Sequence, residues 1–481
     1  MKKHRGIIWF RQDLRLHDNE ALRDASLGVE EIIPVYVFDE RLFSTNTKYG
    51  FKKTDVFRAA FMLESVADLR QSLRARGSEL IIRIGKPEEI LLELASQVKS
   101  SYIFCNRERT QEELDVQDVL ENNLWTIGQE VRYSRGKMLY YTADLPFPVT
   151  HTPDKFSTFR KEVEKIVSVR APLESQALDL SMIPADLDIG ALPDLEKLGY
   201  DEFDIARLEG KNIIGGESEA LSRLNYYLWE SDLVANYKET RNEMLGTDFS
   251  SRFSSYLSQG CLSPKKVYAE VKRYEKEKKQ NDSTYWIFFE LLWRDFFRLM
   301  GKKHGNNIFK SGGTKEVERT DLDDNMDLFK IWSTGRTGIP LVDANMIELN
   351  TTGFMSNRGR QNVASYLIND LKVNWQIGAE YFESLLIDYD PCSNYGNWNY
   401  IAGVGSDPRE NRYFNTTLQS KKYDPEGKYV KAWIPALQKL PADKVHEPFL
   451  LSETDQITYE LVLGKHYPKP VIRKPDLGVS H

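Results

Sequence analysis

The sequence predicts an α/β domain with a parallel sheet, a long connector and an all-α domain. Three observations carry this. Short apolar runs alternate with amphipathic runs up to about residue 134, prolines punctuate the stretch that follows, and strand signals vanish after Gly216. The runs Ile7–Phe10, Ile32–Phe38, Leu80–Ile84, Tyr102–Cys105 and Glu130–Tyr133 are rich in Ile, Val and aromatics and read as strands. Between them, Thr54–Arg76 carries Val56, Ala60, Leu63 and Ala67 at helical spacing and stops at Gly77. Pro87 suits the first turn of the next helix. Thr110 and Glu113 form a capping-box pattern ahead of a run ending at Gly128. Such alternation places helices on both faces of the sheet. Residues 1–135 are therefore assigned to the α/β domain. Residues 136–215 contain Pro146, Pro148, Pro153, Pro172, Pro184 and Pro193 and one helical stretch near Phe156–Val167, and read as a surface connector. Residues 216–481 show helical spacing in Ser218–Trp229, Pro264–Lys279, Thr284–Met300, Leu341–Leu349, Arg360–Leu371 and Ile377–Ile387.

Composition narrows the function classes. The start, Met1-Lys-Lys-His-Arg5 followed by Gly6–Phe10, is too short for a secretory h-region, and no apolar run approaches a membrane span. A cytoplasmic protein is expected. Cys105, Cys261 and Cys392 form no CxxC pair and the seven histidines no metal-binding cluster, so neither a disulfide framework nor a metal is expected. A net charge of −7 means that any nucleic-acid contact must use a local basic patch.

Four segments combine residue types that packing alone does not ask for. Asp388–Tyr400 holds two acids, several amides and four aromatics in thirteen positions. That mixture suits a buried heteroaromatic ligand, whose rings need apolar walls and whose polar edge needs placed partners. Asn357-Arg-Gly-Arg-Gln361 puts basic residues at a helix start; it reads as a solvated helix end or as an anion site. Ser250 and Ser251 in Phe249–Ser254 fit either simple capping or phosphate binding. Glu290, Arg294 and Arg298 lie one turn apart, as surface ion pairs do, yet Trp293, Phe296 and Phe297 intervene.

Together with Phe10–Asn19, these segments resemble, in order and spacing over nearly the whole chain, the photolyase/cryptochrome superfamily. Tyr237–Asn242 and Tyr389–Gly403 resemble its DASH branch. The resemblance implies FAD held between helices of the all-α domain. Carried over residue by residue, Tyr237, Ser250, Ser251, Arg252, Phe253 and Ser254 would surround the pyrophosphate. Asn357, Arg360, Asp388 and Asp390 would meet the flavin, with Asn394 facing N5 as an acceptor. Trp398, Trp375 and Trp332 match the family's electron-carrying tryptophans, which need to lead from flavin to surface; core packing is the alternative for each.

Glu290, Trp293, Asn357, Arg358 and Tyr400 match the cavity for a cyclobutane pyrimidine dimer. Arg241, Arg294, Arg358, Gln361 and Arg412 are the DNA-contact candidates, against plain surface charge. Gln111 and Glu112 match the contact for a 5,10-methenyltetrahydrofolate antenna, against ordinary helix capping. Tyr400 and Gln361 stand where duplex-repairing photolyases carry Trp and Met. A smaller stacking platform gives up part of the ~1–3 kcal/mol per base that aromatic stacking provides, whereas extruding a base from a duplex costs a few kcal/mol. Single-stranded DNA is therefore the expected partner. The absence of His at Asn357 and Gln361 argues against six-four repair. Two functions stand: a dimer-splitting lyase, expected to be monomeric, or a photoreceptor using the same flavin. The short ending Pro475–His481, without the extension that signalling cryptochromes often carry, tilts the expectation to the enzyme.

Overall fold

The computed structural model describes residues 4–173, 183–184, 187–406 and 412–472; the ending Pro475–His481 lies outside them. Strands β1 (Arg5–Phe10), β2 (Glu31–Asp39), β3 (Ile81–Gly85), β4 (Tyr102–Asn106) and β5 (Glu130–Ser134) form a parallel sheet in the order β3-β2-β1-β4-β5. Alternation along β1 decides the faces: Ile7 and Trp9 enter one core, Ile8 and Phe10 the other. Helices α1 (Glu20–Gly28) and α2 (Val56–Arg74) cover the face of Ile8 with Leu22, Ala25, Phe57 and Phe61. Helices α3 (Pro87–Val98) and α4 (Gln111–Trp125) cover the other with Leu91, Leu94, Leu120 and Leu124.

The stop signals read in the sequence are real: Gly77 and Gly128 both take positive φ, +76° and +71°. The capping box at α4 is not. Thr110 precedes the helix but its side chain caps nothing. Glu113 turns inward instead, where its Oε2 is buried without a partner and burial, then the nearby Glu108, pushes its carboxyl up to about 7.

The described part of residues 136–215 is not wholly a surface connector, because Met138, Leu139, Tyr140 and Leu145 enter the main core. Helix α5 (Phe156–Ile166) buries Phe156, Phe159 and Val163, and the Ile189 carbonyl accepts from Ile82 N on β3. The second half is helical: α6 (Glu217–Asn225), α7 (Phe253–Gln259), α8 (Pro264–Glu277), α9 (Asp282–His304), α10 (Met326–Ser333), α11 (Pro340–Thr352), α12 (Asn357–Ser365), α13 (Trp375–Leu385) and α14 (Pro391–Ala402), followed by shorter helices. Two of the stretches read as single helices end in π-helical turns, at Tyr226–Glu230 and Tyr366–Asp370. Among the described residues no helix is long and apolar enough to cross a membrane, and no group of His, Cys, Asp or Glu could hold a metal.

The loop after β1 welds the two halves. Arg15, only 1 % exposed, donates to the carbonyls of His17, Asp18, Gly136 and Gly260. Glu217 at the start of α6 accepts from the backbone of Leu16 and His17 at 2.7 and 2.9 Å and pairs with His17 Nδ1 at 2.5 Å. Lys265 on α8 reaches Asp18 and Glu20 at 3.0 and 3.1 Å. The Phe10–Asn19 motif is thus a clamp between the two halves, and it ties the start of α6, the end of α7 and the start of α8 to the sheet.

Candidate active site

A cavity of about 520 Å3 opens inside the helical half, within the usual size range of small-molecule sites. Its first wall is Tyr237 with the run Ser250–Ser254. Arg252, not a serine, is the residue before α7, in left-handed backbone with φ of 56°. That conformation is disfavoured for a side chain. It is held by bonds from Arg252 to Asn212 Oδ1 (3.1 Å) and Gly246 O (2.9 Å) and by packing on Phe354. Arg223 holds the carbonyls of Ser250 and Ser251, and the Ser251 hydroxyl accepts a long bond from Phe253 N at 3.5 Å.

The second wall is α9. The i,i+4 pairing open in the sequence does not form: Glu290 pairs with Arg241 at 2.5 Å, Arg294 donates to the carbonyls of Lys137 and Leu257, and Arg298 pairs with Asp390 at 3.1 Å. Burial raises the Glu290 carboxyl above its ordinary range, against the pull of Arg241. Trp293 stacks on Phe156 with centroids 3.7 Å apart and meets Tyr400 edge-on at 6.0 Å, so the two rings form a corner.

The third wall is the start of α12, where Ser356 accepts from Gly359 N at 3.0 Å. Arg360 reaches Asp388 Oδ2 at 2.9 Å, and Asn357 and Gln361 line the cavity. The fourth is Asp388–Tyr400, which is helical from Pro391: Asp390 caps α14 by accepting from Ser393 N at 2.8 Å. Despite burial, Arg298 and Arg294 hold the Asp390 carboxyl below its ordinary value. Asn394 commits its NH2 to the Ala379 carbonyl at 3.0 Å, which leaves its own carbonyl oxygen for the cavity.

The structure thus gathers Tyr237, Arg241, Ser250, Ser251, Arg252, Phe253, Ser254, Glu290, Trp293, Arg294, Asn357, Arg360, Gln361, Asp388, Asp390, Asn394, Trp398, Tyr400 and Arg412 around one space. Two expectations need correction. Arg294 lines the cavity but spends its guanidinium on carbonyls of the interdomain seam, so it is not poised for DNA. The three tryptophans do not lead to the surface: Trp398, Trp375 and Trp332 are 3, 1 and 0 % exposed. Trp398 and Trp332 both pack on Phe382, at 5.1 and 6.3 Å, and Trp375 packs on Tyr395 at 6.4 Å. The sequence shows aromatic content and order but not depth, and depth decides where a row of rings ends.

Arg358 stands outside the cavity lining, bonded to Gln361 and Asn242 at 3.0 and 2.7 Å over the ring of Tyr423. Burial lowers its guanidinium pKa, Tyr423 opposes this, and Arg241 and Arg412 add to the lowering, so the three arginines share one positive field. Gln111 and Glu112 lie apart, exposed on the first turn of α4. Gln111 accepts from Asn306 at 3.2 Å, and Glu112 pairs with Lys53, which also reaches Glu383. Sequence reasoning missed the duty of Arg298. Its signal was a charge set between Phe297 and Leu299 in an otherwise apolar stretch.

The cavity residues fit an isoalloxazine with a pyrophosphate. The Oδ1 of Asp388 is buried with no partner, a free acceptor carbonyl comes from Asn394, and Phe382 and Trp398 supply apolar wall.

Comparison with known proteins agrees. The family model described as DNA photolyase matches residues 6–177, and that described as the FAD binding domain of DNA photolyase matches residues 286–476. Cryptochrome DASH of Synechocystis sp. is 46% identical over 471 residues, covering 97% of this chain and 94% of its own. The chloroplastic/mitochondrial cryptochrome DASH of Arabidopsis thaliana is 47% identical over 453 residues, covering 94% of this chain and 79% of its own. Among solved structures, the Synechocystis sp. PCC6803 cryptochrome superposes with a TM-score of 0.93 at 46% identity, over 99% of this chain and 98% of that one. A bacterial class III photolyase from Agrobacterium tumefaciens gives 0.86 at 28% identity, over 99% and 96%. With two family models in register and close relatives along nearly its full length, the chain belongs to the photolyase/cryptochrome superfamily, in its DASH cryptochrome branch.

Proposed function

We propose that the protein is a blue-light-dependent lyase for cyclobutane pyrimidine dimers, preferring single-stranded DNA and working as a monomer with FAD in the cavity. The observation that carries this is a shared space. Glu290, Trp293 and Tyr400 face the same cavity as Arg360, Asp388 and Asn394, so a substrate group and a flavin would meet there without a protein wall between them. FAD, when bound and reduced, supplies a light-driven electron to the dimer and takes it back after the ring bonds break.

The chain's own residues bind and polarise. The Trp293–Tyr400 corner takes the extruded bases on two faces. Glu290, its carboxyl raised by burial, hydrogen-bonds the base edge and steadies the charge that arrives there. Arg241, Arg358 and Arg412 attract the flanking phosphates, and this part of the binding weakens with salt. The Asn394 carbonyl oxygen would accept a hydrogen bond from a protonated flavin nitrogen, which would favour the reduced state. One copy of the chain contains every residue this reading uses. A 5,10-methenyltetrahydrofolate antenna is proposed at Gln111 and Glu112, beside Asn306 and Lys53 where the two halves of the molecule meet.

A second reading, a photoreceptor with little repair, is favoured by the Glu290–Arg241 pair: at 2.5 Å the carboxylate is already engaged and must be released before it can meet a base. Light-dependent repair measured on matched single- and double-stranded thymine dimers, with the protein's FAD fully reduced, separates the two. Splitting on single strands with weak action on relaxed duplex is expected. No repair of either substrate sinks the lyase and leaves the photoreceptor.

A further inference from the structure

Asp390 is the inner end of a file of buried charges that leaves the cavity and crosses into the α/β half. Its Oδ2 lies 3.1 Å from Arg298 Nη1; Arg298 Nη2 lies 3.5 Å from Glu108 Oε2; Glu108 Oε1 pairs closely with Lys137, whose Nζ donates on to Gln12 Oε1 at 3.1 Å. The four side chains are 4–6 % exposed, and the signs alternate. Each member comes from a different place: the cap of α14, the middle of α9, the loop after β4 and the loop after β5. Arg294 ties the file down by donating to the Lys137 carbonyl at 2.6 Å, and Glu108 N donates to Gln117 Oε1 at 2.9 Å.

Such a file is poor value as a stabiliser. Removing several charges from water costs about as much as their attraction returns, and apolar residues of the same shape would serve folding as well or better. What buried charges do well is act at a distance, because little water screens them. A charge change at Glu108 or Lys137 is felt at Asp390, two and three links away, through Arg298.

We propose that Glu108 and Lys137 are positioning residues of the flavin cavity: from the α/β half they set, through Arg298, the charge that Asp390 presents to the flavin, and so the flavin's electron affinity. The inference rests on the reading of the cavity as an FAD site. It assigns the N-terminal half a part in the redox centre itself, separate from any antenna.

The test is the midpoint potential of bound FAD, measured by spectroelectrochemistry on the holoprotein. Glu108→Gln removes a negative charge and should raise the potential. Lys137→Met removes a positive one and should lower it. The double variant should return close to wild type, and Glu108→Asp and Lys137→Arg, which keep the charges, should stay there. Opposite signs are the discriminating feature, since mere loosening of the seam moves both variants the same way. Equal potentials in all variants, or same-sign shifts, overturn the proposal while leaving the FAD site intact. If the purified protein releases no FAD on denaturation, the cavity reading fails and this inference goes with it. A thermal melt of each variant identifies any that has lost its fold, and the charge-keeping pair then carries the comparison: a shifted potential in either of them also overturns the proposal.

Discussion

At the scale of single residues, the cavity works by committing one half of each polar group and leaving the other half free. Asn394 spends its NH2 on Ala379 O; Asp388 spends Oδ2 on Arg360 and keeps Oδ1. The consequence is testable. Asn394→Asp puts a carboxylate where an amide carbonyl stood, beside a flavin that gains negative charge on reduction. The balance of oxidised to reduced FAD, read by absorbance under a fixed reductant, should shift toward oxidised by about tenfold or more, one pair of like charges in a poorly screened site being worth more than ~1.4 kcal/mol. An unchanged balance would remove Asn394 from this role. Residue identity was also the most legible level of the sequence. The aromatic, amide and acid mixture of Asp388–Tyr400 announces a ligand because no ordinary core or loop needs it. What identity cannot carry is orientation. Arg294 and Glu113 carry the right chemistry for DNA contact and helix capping, but both turn inward, Arg294 to the Lys137 carbonyl and Glu113 to a place where its Oε2 has no partner.

At the scale of elements, strands and long amphipathic helices were readable because burial on one face imposes a period. Helix α14 was harder to read, since tyrosine, tryptophan and asparagine crowd every side of it. Its start was nonetheless marked by Asp390-Pro391, an N-cap followed by a first-turn proline. Helix α11 shows how far an element can depart from a simple apolar stripe: it buries Asp343 and Glu348. Glu348 accepts from Tyr429 OH at 2.6 Å, yet burial raises its carboxyl to about 7, with Tyr429, Arg252 and Arg360 only partly offsetting it.

The sign follows from proton counting. Between the ordinary glutamate range and pH 7 the unfolded chain has released this proton and the folded one keeps it, so this group's contribution is fully present at low pH and is lost as pH rises through 7. A shift of this size corresponds to up to about 3 kcal/mol. Glu348→Gln, which still accepts from Tyr429, should therefore gain stability relative to wild type between pH 5 and pH 8. Denaturant unfolding at both pH values checks this; a constant difference would show that folding does not raise the Glu348 carboxyl above its unfolded value.

At the scale of the whole molecule, the sequence read as separable domains, and the structure shows how firmly they are joined. Arg15 satisfies four carbonyls at the seam from a position where water is excluded. Arg15→Ala leaves these acceptors buried and unpaired. With hydrogen bonds from a charged donor worth about 1.5–3 kcal/mol each, a loss of about 3–5 kcal/mol is expected after relaxation. Denaturant unfolding should show it together with easier loss of FAD, because the same seam carries Lys137 and α9. Full stability in this variant would mean that the clamp is dispensable. None of this was visible in sequence, since Arg15 and Gly260 are 245 positions apart and nothing local marks them as partners.

That separation also orders events during synthesis. The sheet's strands are all made once β5 leaves the ribosome, and the loop that follows β1 can then reach Gly136, but its partners on α6 and in the turn before α8 come later. The cavity waits longer still, because its walls come from residues 237–297 and 354–412 and the gap between them must first be translated. More than half of the chain is therefore made between the last strand of the sheet and the last residue of the cavity wall. Chains halted before Asp388 lack the wall that runs from Asp388 to Arg412.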